Sequence, residues 1–191
     1  MVIGAIIVLG LLLVLVVYAI MIYNNLVQIK HNVTKAWANI DVLLKQRHDE
    51  LPKLVETCKQ YMKFEQDTLS RVMEARSRVF TAREAQNIPQ LGQAEGALRA
   101  TLGNLFALAE AYPDLKTNQT FQQLQTRISG LENAIADRRE FYNESVNVNN
   151  IRIEQFPDAI VAGMFGFKPA HLLEFQAEEK SDVDVGKLFK S

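Results

Sequence analysis

The chain has 191 residues, and 21 Lys and Arg residues against 22 Asp and Glu residues give a formal net charge of -1. This balance lacks the broad positive field on which non-specific nucleic-acid binding depends, so no nucleic acid is expected as a partner. The one cysteine, Cys58, rules out a framework of internal disulfides, and its apolar neighbours predict a buried thiol.

An uncharged apolar run opens the chain and predicts a transmembrane anchor over residues 1–23. At about 1.5 Å per residue, a helix of this length spans the roughly 30 Å hydrocarbon core of a bilayer. A cleaved signal peptide would have basic residues before the run and a small-x-small site after it, and neither is present. A buried core helix is seldom apolar on every side for so long. The residues assigned to the span include Val2, Ile3, Leu9, Leu13, Val17 and Ile22.

The basic residues that flank the anchor predict its orientation. None precedes the apolar run, whereas Lys30, Lys35, Lys45 and Arg47 follow it. Because Lys and Arg are retained preferentially on the cytoplasmic side, we expect a short N-terminus outside and the domain in the cytoplasm.

Four amphipathic helices are predicted beyond the anchor, at residues 24–47, 52–84, 89–112 and 118–150. Each carries apolar residues every three or four positions, which places them on one face. Pro52 suits the first turn of the second helix. Pro89 and the run YPDLKTN mark the later turns. Short turns favour antiparallel neighbours, so the predicted fold class is all-α, with a transmembrane helix followed by a four-helix up-and-down bundle.

The third and fourth helices carry distinctive patterns. Gly92, Gly96 and Gly103 lower the helix propensity of the third helix and indicate that a neighbouring backbone approaches closely. From Phe121 to Ser145, apolar residues follow a heptad pattern, which is typical of a packed helical seam.

Arg138 is the one charge within this seam, and a buried guanidinium requires a partner. Glu74 of the second helix lies about level with it if both helices rise equally. We therefore predict an Arg138–Glu74 ion pair that fixes helix register. Trp37 and Tyr142 occupy apolar-stripe positions and are predicted to anchor the core.

The segment after the fourth helix, residues 151–175, is unusually apolar and aromatic. Gly163 and Gly166 predict that it is irregular rather than helical. An up-and-down bundle would return the chain to the bilayer here, so the segment is expected to cover an apolar surface beside the membrane. Residues 176–191 are polar and acidic and are predicted to be flexible, although VDVGKLF alternates weakly, as in a strand added to a partner.

Three blocks of the chain resemble the LemA family of bacterial membrane proteins. They are the run from YNNLVQIKHNVTKAW to RVMEAR, the run AYPDLKTNQTF to FYNESV, and FPDAIVAGMFGFKPAHLLEF. The pairing of AW..IDV.L, which contains Trp37 and Asp41, with FP....AG.FGF is specific to the resemblance. The resemblance implies a single span in the bacterial inner membrane, a helical bundle, a short N-terminus outside and no accepted catalytic residues. His48 and Asn149 stand where aromatic residues are common in the family. Phe156, Pro157, Phe165, Gly166 and Phe167, in the apolar segment that forms the last block, are predicted as structural or interaction residues.

No reaction chemistry is predicted from the sequence. The three histidines, His31, His48 and His171, belong to no HExxH or ExxH pattern, so no metal ligand is assigned. GxGxxG, GxxxxGK[ST] and GxSxG motifs do not occur, and no cofactor or catalytic residue is assigned.

Two functions remain open at the level of sequence. The first is a non-enzymatic, membrane-anchored scaffold that self-associates and recruits another membrane protein. The alternative is a membrane-bound enzyme or small-molecule sensor whose ligand lies in the bundle core, among Trp37, Tyr61, Arg138 and Tyr142. The absence of a catalytic constellation favours the first.

Overall fold

A computed structural model describes residues 2–175, which form six helices and thus confirm the predicted all-α class. The helices are α1 (Val2–Tyr61), α2 (Gln66–Glu84), α3 (Ile88–Ala109), α4 (Pro113–Lys116), α5 (Gln119–Glu154) and α6 (Asp158–Phe165). The tail predicted to be flexible, residues 176–191, and its alternative strand lie outside the described residues.

The described chain divides into two units, which we treat separately. The anchor unit comprises residues 2–39 and 138–172, and the four-helix unit comprises residues 40–137 and 173–175. Helices α1 and α5 contribute residues to both units.

Side-chain contacts define the helix directions in the four-helix unit. Asn118, just before α5, donates to the Tyr61 hydroxyl at the end of α1, whereas Glu132, later in α5, meets Arg47, earlier in α1. These two helices are therefore antiparallel. Helix α2 is also antiparallel to α1, since Arg83 meets Asp41 and Arg76 meets His48. The up-and-down arrangement is confirmed for this unit. Its core contains apolar side chains from the four long helices α1, α2, α3 and α5, including Leu44, Leu51, Leu69, Val72, Leu91, Leu98, Phe121 and Ile128.

The predicted helix boundary before Pro52 is wrong, because α1 continues through this proline. Proline has no N–H to donate to the carbonyl four residues earlier, which belongs to His48. Arg76 of α2 supplies the missing donor, with its Nε 2.9 Å from the His48 oxygen. A long-range hydrogen bond thus satisfies the carbonyl that Pro52 leaves unpaired, and the helix is not interrupted.

The first turn of the four-helix unit lies instead at residues 62–65, inside the predicted 52–84 helix. No proline or glycine marks it. Met62 is fully buried, which fixes the start of the turn in the core. The Tyr112 hydroxyl donates to Glu65 at its end over 3.1 Å. Tertiary contacts therefore define this turn, where local sequence gives no signal.

The later helix boundaries differ from the predictions by a few residues. The Asn87 side chain accepts from the Gln90 N–H at 3.1 Å and caps the start of α3. This helix ends at Ala109 rather than at residue 112, and the predicted turn contains the short helix α4. Helix α5 extends to Glu154 rather than to residue 150.

Gly92 allows a close backbone approach, as its helix pattern predicts. A Cβ atom at this position would lie 2.0 Å from the backbone oxygen of Glu174, so only glycine fits without a shift. The approaching chain is residues 173–175, and Leu173 beside it is buried. The same prediction is wrong for Gly103, where a Cβ would meet no atom within 4 Å.

Candidate functional site beside the apolar helix

The first part of α1 is long and apolar enough to cross a membrane, and its side chains are exposed. Of the residues assigned to the span, all but Ile22 are exposed. Ile22 is buried in the anchor unit, so it packs against protein there. The candidate span therefore begins at Val2 and is exposed up to Met21.

A small apolar core joins the end of this run to α6. It consists of Ile22 and Leu26 of α1 with Val161 and Ala162 of α6, and Ile153 and Phe167 pack against it. Gly163 lies within the helix, so the prediction of an irregular segment is wrong for residues 158–165. Gly166 does end the helix as its C-cap, in the left-handed conformation at φ 69° that glycine tolerates best.

Aromatic rings extend the contact between α1 and the C-terminal segment. The Tyr23 ring centroid lies 4.7 Å from that of Phe165 and 5.9 Å from that of Phe167. The predicted interaction residues Phe165, Gly166 and Phe167 are thus brought together at the end of the candidate span. Tyrosine in this setting suits a membrane interface, because its ring is apolar and its hydroxyl is polar.

The opposite face of α6 and the residue before its cap are apolar and exposed. Phe156 is 80% exposed and Met164 is 74% exposed, and Ile160 lies between them at helical spacing. Phe165 is also largely exposed. We call Phe156, Ile160 and Met164 the α6 face, because Phe165 packs on Tyr23 instead. They form an unburied apolar surface in the same unit as the candidate span.

Asp158 begins α6 directly after Pro157, which occupies the N-cap position. The carboxylate is buried, and its Oδ2 lies 2.8 Å from Arg152 Nη2. This oxygen nevertheless accepts no aligned hydrogen bond within the described residues, so the contact is a charge pair rather than a directed bond. A carboxylate in the first turn also interacts favourably with the helix dipole.

Trp37 and Tyr142, which were predicted to anchor the core, pack together in the anchor unit. Their ring centroids lie 5.8 Å apart in an edge-to-face arrangement. The Tyr142 hydroxyl donates to the His171 carbonyl at 3.0 Å, and burial raises the pKa of this tyrosine. The hydroxyl is therefore a structural donor that holds the C-terminal segment.

The predicted role of Arg138 is wrong. Its side chain is exposed rather than buried in the seam. Glu74 is also exposed and pairs with Arg78 on its own helix, with 2.5 Å between Arg78 Nη2 and Glu74 Oε1. Such a surface pair contributes little to stability.

Arg47, which sequence reasoning overlooked, is the buried arginine of the four-helix unit. It is 1% exposed and contacts the carboxylates of Glu95 and Glu132. Burial alone would lower the pKa of Arg47, but the two carboxylates raise it overall. For Glu95, burial raises the pKa and outweighs the lowering effect of Arg47. This buried network connects α1, α3 and α5.

Two further polar contacts in this unit connect α1 to α2. Asp41, a predicted structural or interaction residue, forms two hydrogen bonds with Arg83, at 2.6 and 2.8 Å. The His48 ring stacks on Phe80 and lies 2.5 Å from Arg76 Nη2. Burial first and Arg76 second lower the pKa of His48. Asp41 thus fixes helix packing rather than facing an outside partner.

Cys58 is a core residue, as its neighbours predict. Burial raises the pKa of the thiol to about 12. A nucleophilic cysteine needs a lowered pKa and access to substrate, and this one has neither.

These features define a helical protein with a candidate membrane anchor and an apolar surface in the same unit. A family model described as the LemA family matches residues 36–186. The chain belongs to the LemA family.

Named relatives share different amounts of this chain. Protein LemA of Metamycoplasma hominis is 27% identical over 166 residues, which cover 86% of this chain and 74% of the relative. Magnetosome protein MamQ 2 of Paramagnetospirillum magneticum is 31% identical over 97 residues, or 51% of this chain and 36% of the relative. Magnetosome protein MamQ of Magnetospirillum gryphiswaldense is 33% identical over 75 residues, or 39% of this chain and 28% of the relative. The chain therefore spans well under half the length of the MamQ proteins that it matches.

Proposed function

We propose that this chain is a non-enzymatic scaffold that is anchored in the bacterial inner membrane and self-associates through the α6 face. The observation that carries the proposal is the exposure of three large apolar side chains, Phe156 just before α6 and Ile160 and Met164 within it, in the unit that contains the candidate span. Contiguous exposed apolar surface of this kind marks an interaction site.

The packing of α6 supports the choice of this surface. Val161 and Ala162 already hold the helix against α1, so Phe156, Ile160 and Met164 are not needed for its own docking. Covering large apolar side chains is favourable by about 25 cal/mol per Å². A second copy presenting the same face would bury both, as in a two-fold interface.

Charge supports the proposed orientation. Lys30, Lys35 and Lys45 are exposed after the apolar run, although Arg47, counted with them from sequence, is buried and paired. Three free basic side chains on one side still favour the cytoplasm for the helical domain.

The other function considered from sequence, a ligand site in the bundle core, has weaker support. Arg138 is exposed, Trp37 and Tyr142 pack on one another, and Tyr61 accepts a hydrogen bond from Asn118. We propose no enzyme activity. The names of the MamQ relatives are not carried over as a magnetosome role, because the match to MamQ 2 covers only 36% of that protein.

Light scattering of the full-length chain in a mild detergent, at micromolar concentration, tests the proposal. We expect a protein mass that is a multiple of 21.6 kDa. The double variant Phe156→Ser/Met164→Ser should run as a monomer, because both side chains are exposed and their loss leaves the fold intact.

Phe64→Ser is the matched control, since Phe64 is 95% exposed in the turn between α1 and α2. It should assemble like the unmodified chain. Point substitutions are preferable to truncation before Phe156, which would also remove buried Val161, Ala162 and Leu173. A monomeric unmodified chain would reject self-association.

A further inference from the structure

A groove in the anchor unit lies where α1 leaves its apolar run. It is lined by α1 residues between Tyr23 and Thr34, by Asn149 of α5 and by residues 165–170, and it encloses about 580 Å³. This volume lies within the range of small-molecule sites. Phe156, Ile160 and Met164 of the α6 face do not line it, so the groove is a separate feature.

The polar part of the groove is basic. Lys30, His31 and Lys168 line it, and none of the described lining residues is acidic. Within residues 2–175, Lys30 and Lys168 have no ion-pair partner. Two lysines brought to one groove without a carboxylate favour an anion, and phosphate is an anion that lysine binds well as a point charge.

The lysine from the C-terminal segment is held in place by α5. The Asn150 amide donates to the Ala170 carbonyl at 3.0 Å, and its oxygen accepts from the Ala170 N–H at 2.9 Å. Asn149 donates to the Lys168 carbonyl at 3.4 Å. These bonds fix the backbone around Lys168 before any ligand arrives, which lowers the entropic cost of binding.

The apolar end of the groove faces the candidate span. Tyr23, Phe165 and Phe167 line this end, and Tyr23 directly follows the apolar run. Lys30 comes seven residues later, which is about 10 Å along a helix. The headgroup layer extends roughly 5–7 Å beyond the hydrocarbon core, and a lysine side chain can extend towards it. With the span ending at Tyr23, the groove combines an aromatic end at the membrane interface with a basic end at headgroup depth.

We propose that this groove binds the phosphate of an anionic phospholipid from the surrounding leaflet. The acyl chains lie along the exposed apolar part of α1, the aromatic rings contact the glycerol region, and Lys30 and Lys168 pair with the phosphate. The inference rests on the proposed membrane anchoring but not on self-association through the α6 face.

Native mass spectrometry of the full-length chain, released from detergent micelles, tests this site. The protein is titrated with phosphatidylglycerol or with phosphatidylcholine of the same acyl chains. We expect more bound phosphatidylglycerol than phosphatidylcholine. In Lys30→Gln/Lys168→Gln the apparent affinity for phosphatidylglycerol should fall about tenfold or more, since each lysine near an anionic headgroup contributes appreciably.

Lys35→Gln/Lys45→Gln is the matched control, because both lysines are exposed, neither lines the groove and the change in net charge is the same. It should keep the affinity of the unmodified chain. Equal losses in both double variants, or equal binding of the two lipids, would overturn the proposal in favour of general surface charge. Displacement of phosphatidylglycerol by an equal concentration of inorganic phosphate would overturn the lipid source and indicate a site for free phosphate.

The same spectra report the oligomeric mass and so separate this inference from the proposed function. A monomer that binds phosphatidylglycerol through Lys30 and Lys168 would reject self-association and support the lipid site. An oligomer with no lipid preference would support self-association and reject the lipid site.

Discussion

The two units of this chain differ in where they place charged and large apolar side chains. In the four-helix unit, Arg47 and Glu95 are 1% and 2% exposed, and each charge has a partner. In the anchor unit, the apolar side chains of Phe156 and Met164 are exposed. Buried charges that are paired fix the register of a core, whereas exposed apolar side chains require a partner from outside. The comparison is the basis for proposing self-association through the anchor unit rather than through the four-helix unit.

The largest expected effect comes from removing the buried cation of the four-helix unit. Arg47→Met leaves Glu95 buried without its partner, which should lower the free energy of unfolding by about 3–5 kcal/mol. Urea unfolding of the full-length chain in detergent, followed by far-ultraviolet circular dichroism, measures this change. Arg78→Met is the control, since its pair with Glu74 is exposed, and it should change stability by less than about 1 kcal/mol.

The stability lost in Arg47→Met should depend on pH in a definite direction. Burial raises the pKa of Glu95 in the folded state, and losing Arg47 removes the charge that lowers it. The folded state then binds more protons than the unfolded state above the ordinary pKa of 4.5, so stability falls as pH rises. The deficit of Arg47→Met should accordingly shrink from about pH 7 to about pH 5. A deficit that is equal at both pH values, or no larger than that of Arg78→Met, would contradict the role of the network.

An intermediate effect is expected where α2 supplies the donor that Pro52 lacks. Arg76→Leu leaves the His48 carbonyl unpaired and should cost about 1–3 kcal/mol. Pro52→Ala restores an N–H for the same carbonyl, so it should recover part of that loss in the Arg76→Leu background. A double-mutant cycle measured by urea unfolding gives the coupling energy between the two positions. Additive losses would show that the hydrogen bond does not compensate for the proline.

Acidification should also lower stability at the contact between His48 and Arg76. The pKa of His48 is lowered in the folded state by burial first and by Arg76 second. The unfolded state therefore binds more protons as pH falls below 6.5, and this contribution to stability is lost on acidification. Arg76→Leu removes part of the shift and should make the decline shallower. Arg71→Leu, at an exposed position of α2, should leave the slope of stability against pH unchanged.

Helical periodicity predicts most of this fold but misplaces its buried charge. Arg47 follows Ile40 and Leu44 at core spacing, so the signal was present in the sequence, as it was for Glu95 between Leu91 and Leu98. Arg138 was chosen because it interrupts a seven-residue repeat. A straight helix drifts by about 20° per heptad against that repeat, so position 138 turns outward while Tyr142 remains buried.

The parts that sequence could not predict depend on distant contacts. Helix α1 passes through Pro52 because of Arg76 and ends near Met62, where no local breaker stands. The aromatic FGF run is visible in the sequence as an unusual feature. Its arrangement beside Tyr23 and the convergence of Lys30 with Lys168 require the C-terminal segment to fold back on α1, which no local pattern encodes.

The smallest expected effect comes from removing one tyrosine hydroxyl, and it tests whether the two units unfold separately. Tyr142→Phe removes a hydroxyl that donates to the His171 carbonyl but keeps the ring packed on Trp37, so it should cost about 0.5–1.5 kcal/mol. Trp37 is the single tryptophan of the chain, and its fluorescence reports on the anchor unit. Tyr61→Phe removes a matching hydroxyl, bonded to Asn118, from the four-helix unit. If the units unfold separately, only Tyr142→Phe shifts the urea midpoint of Trp37 fluorescence. Equal shifts from both variants would mean that the two units, which share the continuous helices α1 and α5, unfold as one cooperative structure. The anchor unit and the four-helix unit would then differ in side-chain chemistry but not in stability.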